Sequence, residues 1–504
     1  MGVVYRVWDA ELGREVALKT MRRPGAGEIF RIKTEFRARR EINHPNIVDF
    51  YDLVVDDDDC FFTMELLHGT DFLSWVRTRP PEALLDADTV DVDEPPTRES
   101  GSQEGLGEPH RAIPRRALGI DDDRLRSGLQ QLVEGLDALH QVGCLHRDIK
   151  PGNVHVTPEG RVVLLDFGLA VDIDPEDEKA RIDGPVAGTA AYMSPEAIWR
   201  DGLGPPADFY SVGVMIYEAL TGRRPWRGQM FEILRAKQTG QPAAPSTLTF
   251  GVPADLEALC MDLLEPKPEA RPTAGQILAR LGGEEPDAAS VTLTGQLALD
   301  LHAPFLGRKD ELSALKAAFS RVDAGHPTTV HVAGRSGMGK SALVRKFIQK
   351  VEKEPHVLVL EGRCHLHEAV AFKALDGVVD ALSRFLVNQP RQSLMSILPA
   401  HVSDLIRLFP VLGRVETLEA AADKAGDASP DPQESRRRAF GALRDLLVRI
   451  GRRRTLVVWI DDLQWGDLDS ASLLRELLRP PDPPPLLLLL SWRSEERDSS
   501  PLLR

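Results

Sequence analysis

Eight residues in the second half of the chain, GRSGMGKS at 334–341, require a strand, a tight loop and a helix in that order. They match the pattern G-x-x-x-x-G-K-[ST], with an apolar run at 329–333 before them and a helical pattern at 342–351 after them. In this pattern glycines let backbone N–H groups turn toward phosphate oxygens, the Lys340 ammonium reaches the β- and γ-phosphates, and the Ser341 hydroxyl binds Mg²⁺. The predicted phosphate-binding residues are Gly334, Gly337, Gly339, Lys340 and Ser341.

Two acidic residues and one basic residue follow later apolar runs. The run at 456–460 ends in Asp461 and Asp462, which is how a parallel sheet delivers carboxylates to its C-terminal edge. We predict that Asp461 holds Mg²⁺ through water. Two interpretations stay open for Asp462: it orients the hydrolytic water, or it is an unpaired surface residue. The run at 486–490 leads to Arg493, which either senses the γ-phosphate or is an ordinary surface arginine.

The second half alternates apolar strands with helical patterns. The strands are predicted at 329–333, 357–360, 455–460 and 486–490, and a loop is predicted at 423–434. Strands that are apolar throughout are typical of a parallel sheet covered by helices on both faces. This half therefore predicts an α/β P-loop NTPase domain with a parallel sheet.

The first half carries another pair of motifs, HRDIKPGN at 146–153 and, thirteen residues after its asparagine, DFG at 166–168. Phosphoryl transfer needs a carboxylate that orients the attacking hydroxyl and accepts its proton, and oxygen ligands that hold Mg²⁺ against the phosphates. Asp148 suits the first task, and Asn153 and Asp166 suit the second. Because both motifs occur together, a chance match of single polar residues is a poor explanation.

With these motifs, residues 2–281 resemble a eukaryotic-like bacterial Ser/Thr protein kinase, which has a bilobal α+β fold and uses ATP and Mg²⁺. The resemblance implies that Lys19, at the end of the VALK run, contacts the α- and β-phosphates. It implies Glu35 as the helix partner of that lysine, with Glu41 as the rival, and Lys150 as the group that neutralises the γ-phosphate. The residues implied to contact the nucleotide in this half are Gly2, Val4, Ala17, Lys19, Met64, Glu65 and Leu67.

The same resemblance implies three further roles. Glu196 is expected to pair with Arg271, and Asp208 is expected to brace the backbone of the catalytic loop. Lys150 together with Thr189 implies Ser or Thr, rather than Tyr, as the phosphorylated residue of the substrate.

The amino-terminal sequence departs from the family pattern. The family's Gly-rich loop has three glycines after a first strand, and this sequence has only the last of them, Gly2. Two explanations stay open: the reading frame extends upstream of Met1, or the nucleotide lid is incomplete. We expect the first, and we expect this chain to bind ATP more weakly than an upstream-extended one.

The segment between Asp166 and Thr189 also departs from the pattern, because it contains no Ser, Thr or Tyr. In such kinases the arginine of His-Arg-Asp usually meets a phosphate on this segment. Two interpretations of the acidic residues at 172–183 stay open. In the first, one of these acidic residues pairs with Arg147 in place of a phosphate. In the second, the segment is a solvated acidic loop.

The second half resembles a known module as well. FLGRKDEL at 305–312, the phosphate loop and DDLQW at 461–465 are similar to the AAA-like ATPase module of STAND signalling proteins, over roughly residues 304–504. A helical lid follows that module in its family, which implies that the chain is incomplete at this end too. The expected fold class is multidomain. The expected domains are residues 1–281, with an insertion at about 80–117, and residues 304–504, with a linker at 282–303 between them.

Composition restricts the partners and the location. Lys and Arg total 62 against 77 Asp and Glu, and the net charge of −15 disfavours nucleic acid and anionic membrane surfaces as partners. Basic clusters at 436–438 and 452–454 are interpreted as solvated helix ends. The four cysteines lack metal-ligand spacing, and no apolar run is long enough to cross a membrane, so a cytoplasmic location is expected.

The function expected from these features is transfer of the ATP γ-phosphate to protein Ser/Thr hydroxyls by a kinase that is coupled to a nucleotide-binding switch. Protein substrates are the expected partners, and self-association through the ATPase module is a further expectation. The alternative is a pseudokinase-like scaffold whose ATP-gated P-loop module drives assembly.

Overall fold

The first part of the chain begins as an antiparallel sheet covered by one long helix. The computed structural model describes residues 3–22, 24–40, 42–55, 59–77, 116–117, 119–165, 190–199, 203–228, 230–282, 292–293, 307–425 and 431–504. The strands are β1 (Val3–Asp9), β2 (Arg14–Arg22), β3 (Ile42–Asn43), β4 (Phe50–Val55) and β5 (Asp59–Met64), and the helix is α1 (Ala26–Arg40). The antiparallel order is β1-β2-β5-β4.

Aromatic packing fixes α1 on this sheet. The Phe36 ring of α1 lies edge-on to the Phe50 ring at 5.9 Å between centroids and 6.4 Å from the Phe62 ring. All three side chains are buried, together with Ile32 on the same face of the helix. Because four apolar groups meet here, one side of α1 is committed to the sheet and the other side is left for a different partner.

The middle of the chain is mostly helical. Its strands are β6 (Thr70–Asp71), β7 (Arg116–Ala117), β8 (Val154–Val156), β9 (Val162–Leu164), β10 (Thr249–Phe250) and β11 (Thr292–Leu293). Its helices are α2 (Phe72–Val76), α3 (Asp122–Gln141), α4 (Pro195–Trp199), α5 (Pro205–Thr221), α6 (Met230–Thr239), α7 (Ala254–Leu263) and α8 (Ala274–Arg280).

Helix α3 confirms the periodic pattern that the sequence shows. Leu125, Leu129 and Leu132 are fully buried at helical spacing, and the carboxylate of Asp121 accepts the backbone N–H of Arg124 at 3.1 Å. Such a cap satisfies one of the free N–H groups at a helix start. Helix α5 is buried at every position from 207 to 220, which makes it the central helix of this lobe.

The second half is built on a parallel sheet. Its strands are β12 (Thr328–Gly334), β13 (Val357–Arg363), β14 (Glu368–Val370), β15 (Thr455–Asp461) and β16 (Leu486–Arg493). Its helices are α9 (Lys309–Asp323), α10 (Lys340–Val351), α11 (Lys373–Val387), α12 (Arg391–Met395), α13 (Val402–Leu408), α14 (Glu416–Ala425), α15 (Pro432–Gly451) and α16 (Leu468–Leu477). The strand order is β12-β16-β15-β13, and all neighbours run parallel.

Both faces of this sheet are covered, as the apolar strands predict. Val457 and Trp459 of β15 belong to the core beneath α9 and α10, whereas Leu456, Val458 and Ile460 belong to the core beneath α11 and α15. Alternate residues of one strand therefore enter two different cores, which explains why the strand shows no polar positions. The predicted parallel sheet is confirmed.

Some sequence expectations differ from the structure. The loop predicted at 423–434 is wrong at both ends, because α14 continues to Ala425 and α15 begins at Pro432. Proline at the first helical turn is compatible with a helix start, and the polar composition of the segment concealed that. Within the predicted linker, β11 pairs antiparallel with β3.

Strand β14 lies outside the parallel sheet and joins the sheet of the first half. It pairs parallel with β4, with Glu368 opposite Leu53 and Val370 opposite Val55. The two halves of the chain thus share one five-stranded sheet, in the order β1-β2-β5-β4-β14. Among the helices in the part of the chain that the structure describes, none has the length and apolar character to cross a bilayer.

Candidate active site

The phosphate loop lies between β12 and α10, as the sequence predicts. Gly337 and Gly339 adopt φ angles of 76° and 78°, the left-handed region that favours glycine. Gly334 is the last residue of β12, and Lys340 is the first residue of α10. The Lys340 ammonium donates to the backbone oxygen of Arg335 at 3.0 Å. The predicted residues are therefore assembled as one loop at a helix N-terminus, a geometry that suits phosphate.

Ser341 and Asp461 meet across the loop, although 120 positions separate them in the chain. The buried Ser341 hydroxyl donates to Oδ2 of Asp461 at 2.7 Å, and the Ser491 hydroxyl donates to Oδ1 at 2.6 Å. Trp459 donates its indole N–H to the Ser491 oxygen at 2.9 Å, which fixes that hydroxyl in turn. A hydroxyl and a carboxylate at this distance are oxygen donors that fit a hydrated Mg²⁺ ion.

A cavity of about 270 Å³ adjoins the loop. It is lined by α9, β12 and α10, with apolar contributions from Leu315, Val330 and Met338 and polar ones from Arg308 and Lys340. A mostly apolar wall with a few polar groups at one end is typical of a small-ligand site. The cavity has room for the part of a nucleotide that lies beyond its phosphates.

Asp462 is not a surface residue, so that interpretation is wrong. It is 6% exposed, its φ is 51°, and its Oδ2 accepts from Nε and Nη2 of Arg363 at 2.9 and 2.8 Å. Its Oδ1 accepts from the Gln464 amide at 2.9 Å. Because both oxygens accept hydrogen bonds, the orientation of the carboxylate is fixed. Its role in positioning water stays a prediction.

Arg493 occupies the edge of the same region. Its guanidinium lies 4.8 Å from the Trp465 ring centroid, 3.1 Å from Glu496 and 3.8 Å from Oδ1 of Asp462. The backbone N–H of Arg493 donates to the Gln464 side chain at 3.1 Å. These contacts hold the arginine close to Asp462, which both interpretations of the sequence allow.

A carboxylate that no sequence motif indicates contacts the phosphate loop. The backbone N–H of Ser336 donates to Oε1 of Glu495 at 2.8 Å. This hydrogen bond, with a smaller contribution from the Lys340 charge, lowers the pKa of Glu495. The residue falls in a polar stretch after β16 with no motif around it, so only the fold could bring it to the loop.

The first half contains a separate cleft, built around a strained turn. Arg147 has a φ of 64°, which is unusual for a residue with a side chain. The Asp208 carboxylate accepts the backbone N–H groups of His146 at 2.8 Å and Arg147 at 2.7 Å, and Nε2 of His140 lies 2.8 Å from it. The bracing role expected of Asp208 is confirmed.

The charge of Asp208 is maintained although the residue is buried. Burial alone would raise the pKa of this carboxyl, but hydrogen bonding and charge from His140 and His146 lower it below the ordinary value. Hydrogen bonds from backbone N–H groups to an ionised carboxylate are stronger than those to a neutral acceptor. The turn at Arg147 is consequently held by a permanent negative charge beneath it.

The predicted catalytic residues come together above this turn. The Lys150 ammonium donates to Oδ2 of Asp148 at 2.7 Å, and the Asn153 amide donates to the same oxygen and to the Asp148 backbone oxygen, both at 2.8 Å. Oδ1 of Asp148 accepts no hydrogen bond from any residue that the structure describes. One carboxylate oxygen is thus fixed by two donors, and the other is buried without a hydrogen-bond partner among the described residues.

The wall above the cleft is formed by the sheet of the first half. Ala17 on β2 lies opposite the buried Met64 on β5, and Lys19 lies between Phe62 on one side and Val4 on the other. The half-buried Lys19 ammonium is 5.8 Å from the Phe62 ring centroid. These predicted nucleotide residues therefore share one face of neighbouring strands.

Glu65 and Leu67 lie in the segment that joins the two lobes. The backbone N–H of Glu65 donates to the backbone oxygen of Asp49 at 2.9 Å. The Glu65 carboxylate forms a two-pronged pair with Arg161 at 2.6 and 3.0 Å. Leu67 packs against the core beneath α1. The segment is tied to both lobes, as a connection beside a nucleotide should be.

Comparison with known families decides the identity of this half. The model described as protein kinase domain matches residues 1–90 and 104–281, which is more than half of the chain. The chain belongs to the protein kinase family. The model described as AAA ATPase domain matches residues 304–489, so the kinase is fused to an AAA-type domain that holds the phosphate loop.

Curated relatives of the kinase domain are bacterial. The chain is 32% identical over 276 residues to the serine/threonine-protein kinase PksC of Streptomyces coelicolor, covering 54% of this chain and 44% of that protein. It is 29% identical over 304 residues to PknA of Mycobacterium tuberculosis, covering 59% of each. It is 29% identical over 304 residues to PknB of the same organism, covering 58% of this chain and 42% of that protein.

A buried ion pair supports the lower lobe of the kinase domain. Nη1 and Nη2 of Arg271 donate to the two carboxylate oxygens of Glu196 at 2.6 and 2.9 Å, and Arg271 is 5% exposed. The expected pairing of these residues is confirmed. It ties α4, next to the expected substrate-binding segment, to the start of α8.

Some predicted residues of the kinase domain cannot be placed. Gly2, Asp166 and Thr189 lie outside the described residues, as do Glu41 and the acidic residues at 172–183. Glu35 lies on α1, but its side chain is outside the described part. The expectations for the partner of Lys19, for the second metal ligand and for the acid that pairs with Arg147 stay predictions.

Proposed function

We propose that this chain is a protein Ser/Thr kinase fused to a STAND-type nucleotide switch. The observation that carries the proposal is the geometry of Asp148, whose Oδ2 is fixed by Lys150 and Asn153 while Oδ1 is left without a partner among the described residues. A carboxylate whose orientation is fixed by two donors is what an attacking hydroxyl needs. The chain spans 42 to 59% of the length of the relatives PksC, PknA and PknB, whose names support this activity.

In the proposed reaction, Asp148 orients a Ser or Thr hydroxyl and accepts its proton. The hydroxyl oxygen forms a bond to the γ-phosphorus as the bond to the leaving ADP oxygen breaks. Lys150 and Lys19 balance negative charge on the transferred group and on the α- and β-phosphates. Bound Mg²⁺, for which Asn153 and Asp166 are the proposed ligands, would neutralise charge on the phosphates.

The AAA-type domain is proposed to bind a second ATP. Lys340 and the loop glycines would hold its phosphates, and Ser341 and Asp461 would hold Mg²⁺ directly and through water. The 2.7 Å contact between the Ser341 hydroxyl and Asp461 supports this pairing. We further propose a bacterial, cytoplasmic protein whose partners are protein substrates and, through the AAA-type domain, other copies of the chain.

The pseudokinase alternative is not favoured. A kinase fold that had lost catalysis would have no need to keep Asp148, Lys150 and Asn153 in mutual contact. The named kinases among the relatives point in the same direction.

The test is transfer of label from γ-labelled ATP to a generic protein substrate. Asp148→Asn should reduce the rate at least about 100-fold, because removing a general base typically costs that much. Asp255→Asn is the matched control, since Asp255 forms an exposed pair with Arg126 in the same lobe, and its rate should equal that of the wild type. Equal label transfer by Asp148→Asn and Asp255→Asn would refute the proposal.

A further inference from the structure

Helix α1 of the kinase domain carries two cations that contact the AAA-type domain. The Lys33 ammonium lies 2.7 Å from Oδ1 of Asp376 and 3.1 Å from Oδ1 of Asp380, both on α11 of the AAA-type domain. Arg37 forms a two-pronged pair with Glu368 on β14, at 2.9 Å for each contact. The same guanidinium reaches Asp376 at 2.6 Å and Asp380 at 2.8 Å.

These five residues are named the α1 cluster; four of them are buried, and Arg37 is partly buried. Lys33 is 3% exposed, and the Glu368 side chain is fully covered. Burial lowers the pKa of Lys33, but the charges of Asp376 and Asp380 outweigh this and raise it, so the ammonium stays charged. Buried ions are tolerated only when paired, which means that the two cations of α1 need the three carboxylates of the other domain.

Apolar and backbone contacts continue the same surface. Phe30, one turn before Lys33, belongs to the hydrophobic core of the AAA-type domain, and the Arg414 guanidinium lies 3.9 Å from its ring centroid. Beside the helix, β14 extends the sheet of the kinase domain. There the backbone N–H of Leu53 donates to the backbone oxygen of His367 at 3.0 Å. The surface is thus closed by packing and by strand pairing as well as by charge.

The acidic side of the α1 cluster is attached to the phosphate-loop region. Gly362 on β13 and Gly377 on α11 pack so closely that a Cβ on Gly377 would lie 2.9 Å from the Gly362 Cα. Arg363, which follows Gly362 on β13, pairs with Asp462. The backbone N–H of Cys364 donates to the backbone oxygen of Asp461 at 3.0 Å. Asp376 therefore sits on a helix that cannot shift without moving the strand beside the two aspartates.

The amino-terminal end of α11 is attached to the same region by hydrogen bonds. The backbone N–H of Lys373 donates to the Asp467 carboxylate at 3.0 Å, and that of Ala374 donates to the Ser470 hydroxyl at 3.0 Å. Asp467 and Ser470 lie at the start of α16, which directly follows the Asp461–Asp462 turn. The amino-terminal end of α11 is therefore joined to the phosphate-loop region by close packing and by hydrogen bonds.

We propose that the AAA-type domain docks on α1 through the α1 cluster, and that the nucleotide held by Lys340 sets the position of α1 through α11 and β14. Helix α1 carries Glu35, the proposed partner of Lys19, so a shift of α1 would change the kinase cleft. That consequence rests on the proposed kinase function. The docking and its nucleotide dependence do not rest on the proposed kinase function. They are tested without any measurement of phosphate transfer.

The docking is tested by hydrogen exchange of backbone amides in the full chain. The variant Asp376→Asn with Asp380→Asn keeps side-chain volume and removes two charges, so amides of α1 should exchange at least about tenfold faster, because breaking buried ion pairs leaves uncompensated charge. The control is Asp469→Asn, which breaks an exposed pair with Arg436 in the same domain and should change nothing. Unchanged exchange in α1 of the double variant would overturn the docking proposal.

A second variant covers the case in which the double variant loses its fold, visible as lost protection in α3 as well. Arg37→Lys keeps the charge but loses the two-pronged geometry with Glu368. It should accelerate exchange in α1 by a few-fold and leave α3 at the wild-type rate. Exchange in α1 equal to that of the wild type would again overturn the docking proposal.

The nucleotide dependence is tested with the same measurement. Saturating ADP and a non-hydrolysable ATP analogue should give different exchange rates in α1 of the wild type, and this difference should vanish in Lys340→Ala, which can no longer hold phosphates in the loop. If Lys340→Ala keeps the whole difference, the effect comes from the kinase cleft and the coupling is refuted. If neither chain shows a difference, the coupling is refuted as well.

Discussion

Removal of the Asp208 carboxylate should damage both the stability and the activity of the chain, and the sizes of the two effects can be worked from the structure. The carboxylate accepts two backbone N–H groups, at 2.8 and 2.7 Å, and is 1% exposed. Hydrogen bonds to a charged group contribute about 1.5–3 kcal/mol each, so Asp208→Ala should lower the free energy of unfolding by about 3–6 kcal/mol. Asp208→Asn keeps one acceptor oxygen and should cost roughly half as much.

The activity should fall because the strained turn at Arg147 loses its brace. With a φ of 64°, that residue would relax toward an ordinary backbone conformation and displace the adjacent Asp148. A displacement of about 1 Å can cost roughly 100-fold in rate, so kcat should fall by about that factor while the KM for ATP changes little. The change in kcat separates a positioning role from a purely structural one.

Urea unfolding followed by tryptophan fluorescence, and steady-state kinetics on the same samples, check both expectations. Asp255→Asn is again the control. The pKa of Asp208 is lower in the folded chain, so its stabilisation is complete above the unfolded pKa, about 4, and is lost as the pH falls through the folded value. A variant Asp208→Ala with wild-type kcat would refute the bracing argument.

Three further predictions concern buried polar groups. Burial lowers the pKa of Lys237 to about 7, so the unfolded chain binds the extra proton above that pH, and the unfolding free energy of the wild type should rise by roughly 2–3 kcal/mol from pH 7 to 9 relative to Lys237→Met. A difference that stays flat with pH would mean that its three backbone acceptors keep the ammonium charged. Arg271→Lys should lose the two-pronged pair with Glu196 and lower the unfolding free energy by about 2 kcal/mol in urea titrations, and an unchanged midpoint would contradict this. Ser341→Ala should weaken Mg²⁺-dependent binding of a fluorescent ATP analogue to the chain's AAA-type domain at least about tenfold without changing kinase KM, whereas equal affinity would contradict the role shared with Asp461.

Local motifs made much of the two clefts predictable. The distance from Asp148 to Asn153 is five positions, so one loop could be expected to gather them, and the structure confirms it. The pairing of Glu196 with Arg271 was also predictable, although only through the resemblance to a kinase, because 75 positions separate these residues in the chain. The parallel sheet followed from strands that are apolar at every position.

The contact between the two domains could not be predicted from the sequence. Lys33 and Arg37 look like ordinary charged positions on a helix, and their partners Asp376 and Asp380 lie more than 330 positions away. A charged residue in a helix is usually solvated, and no periodicity distinguishes one that is paired across a domain interface. The same reason explains why the Ser336–Glu495 hydrogen bond was missed.

The most direct test of the proposed chemistry is the rate of one turnover. Chain in excess over pre-bound radiolabelled ATP is mixed with protein substrate and Mg²⁺, and phosphate transfer is followed by rapid quenching, so that neither ATP binding nor product release limits the rate. The geometry around Asp148 predicts that Asp148→Asn slows this step at least about 100-fold while its dissociation constant for ATP stays within about twofold of the wild type. Equal single-turnover rates for the two chains would contradict the assignment of Asp148 as the group that accepts the hydroxyl proton.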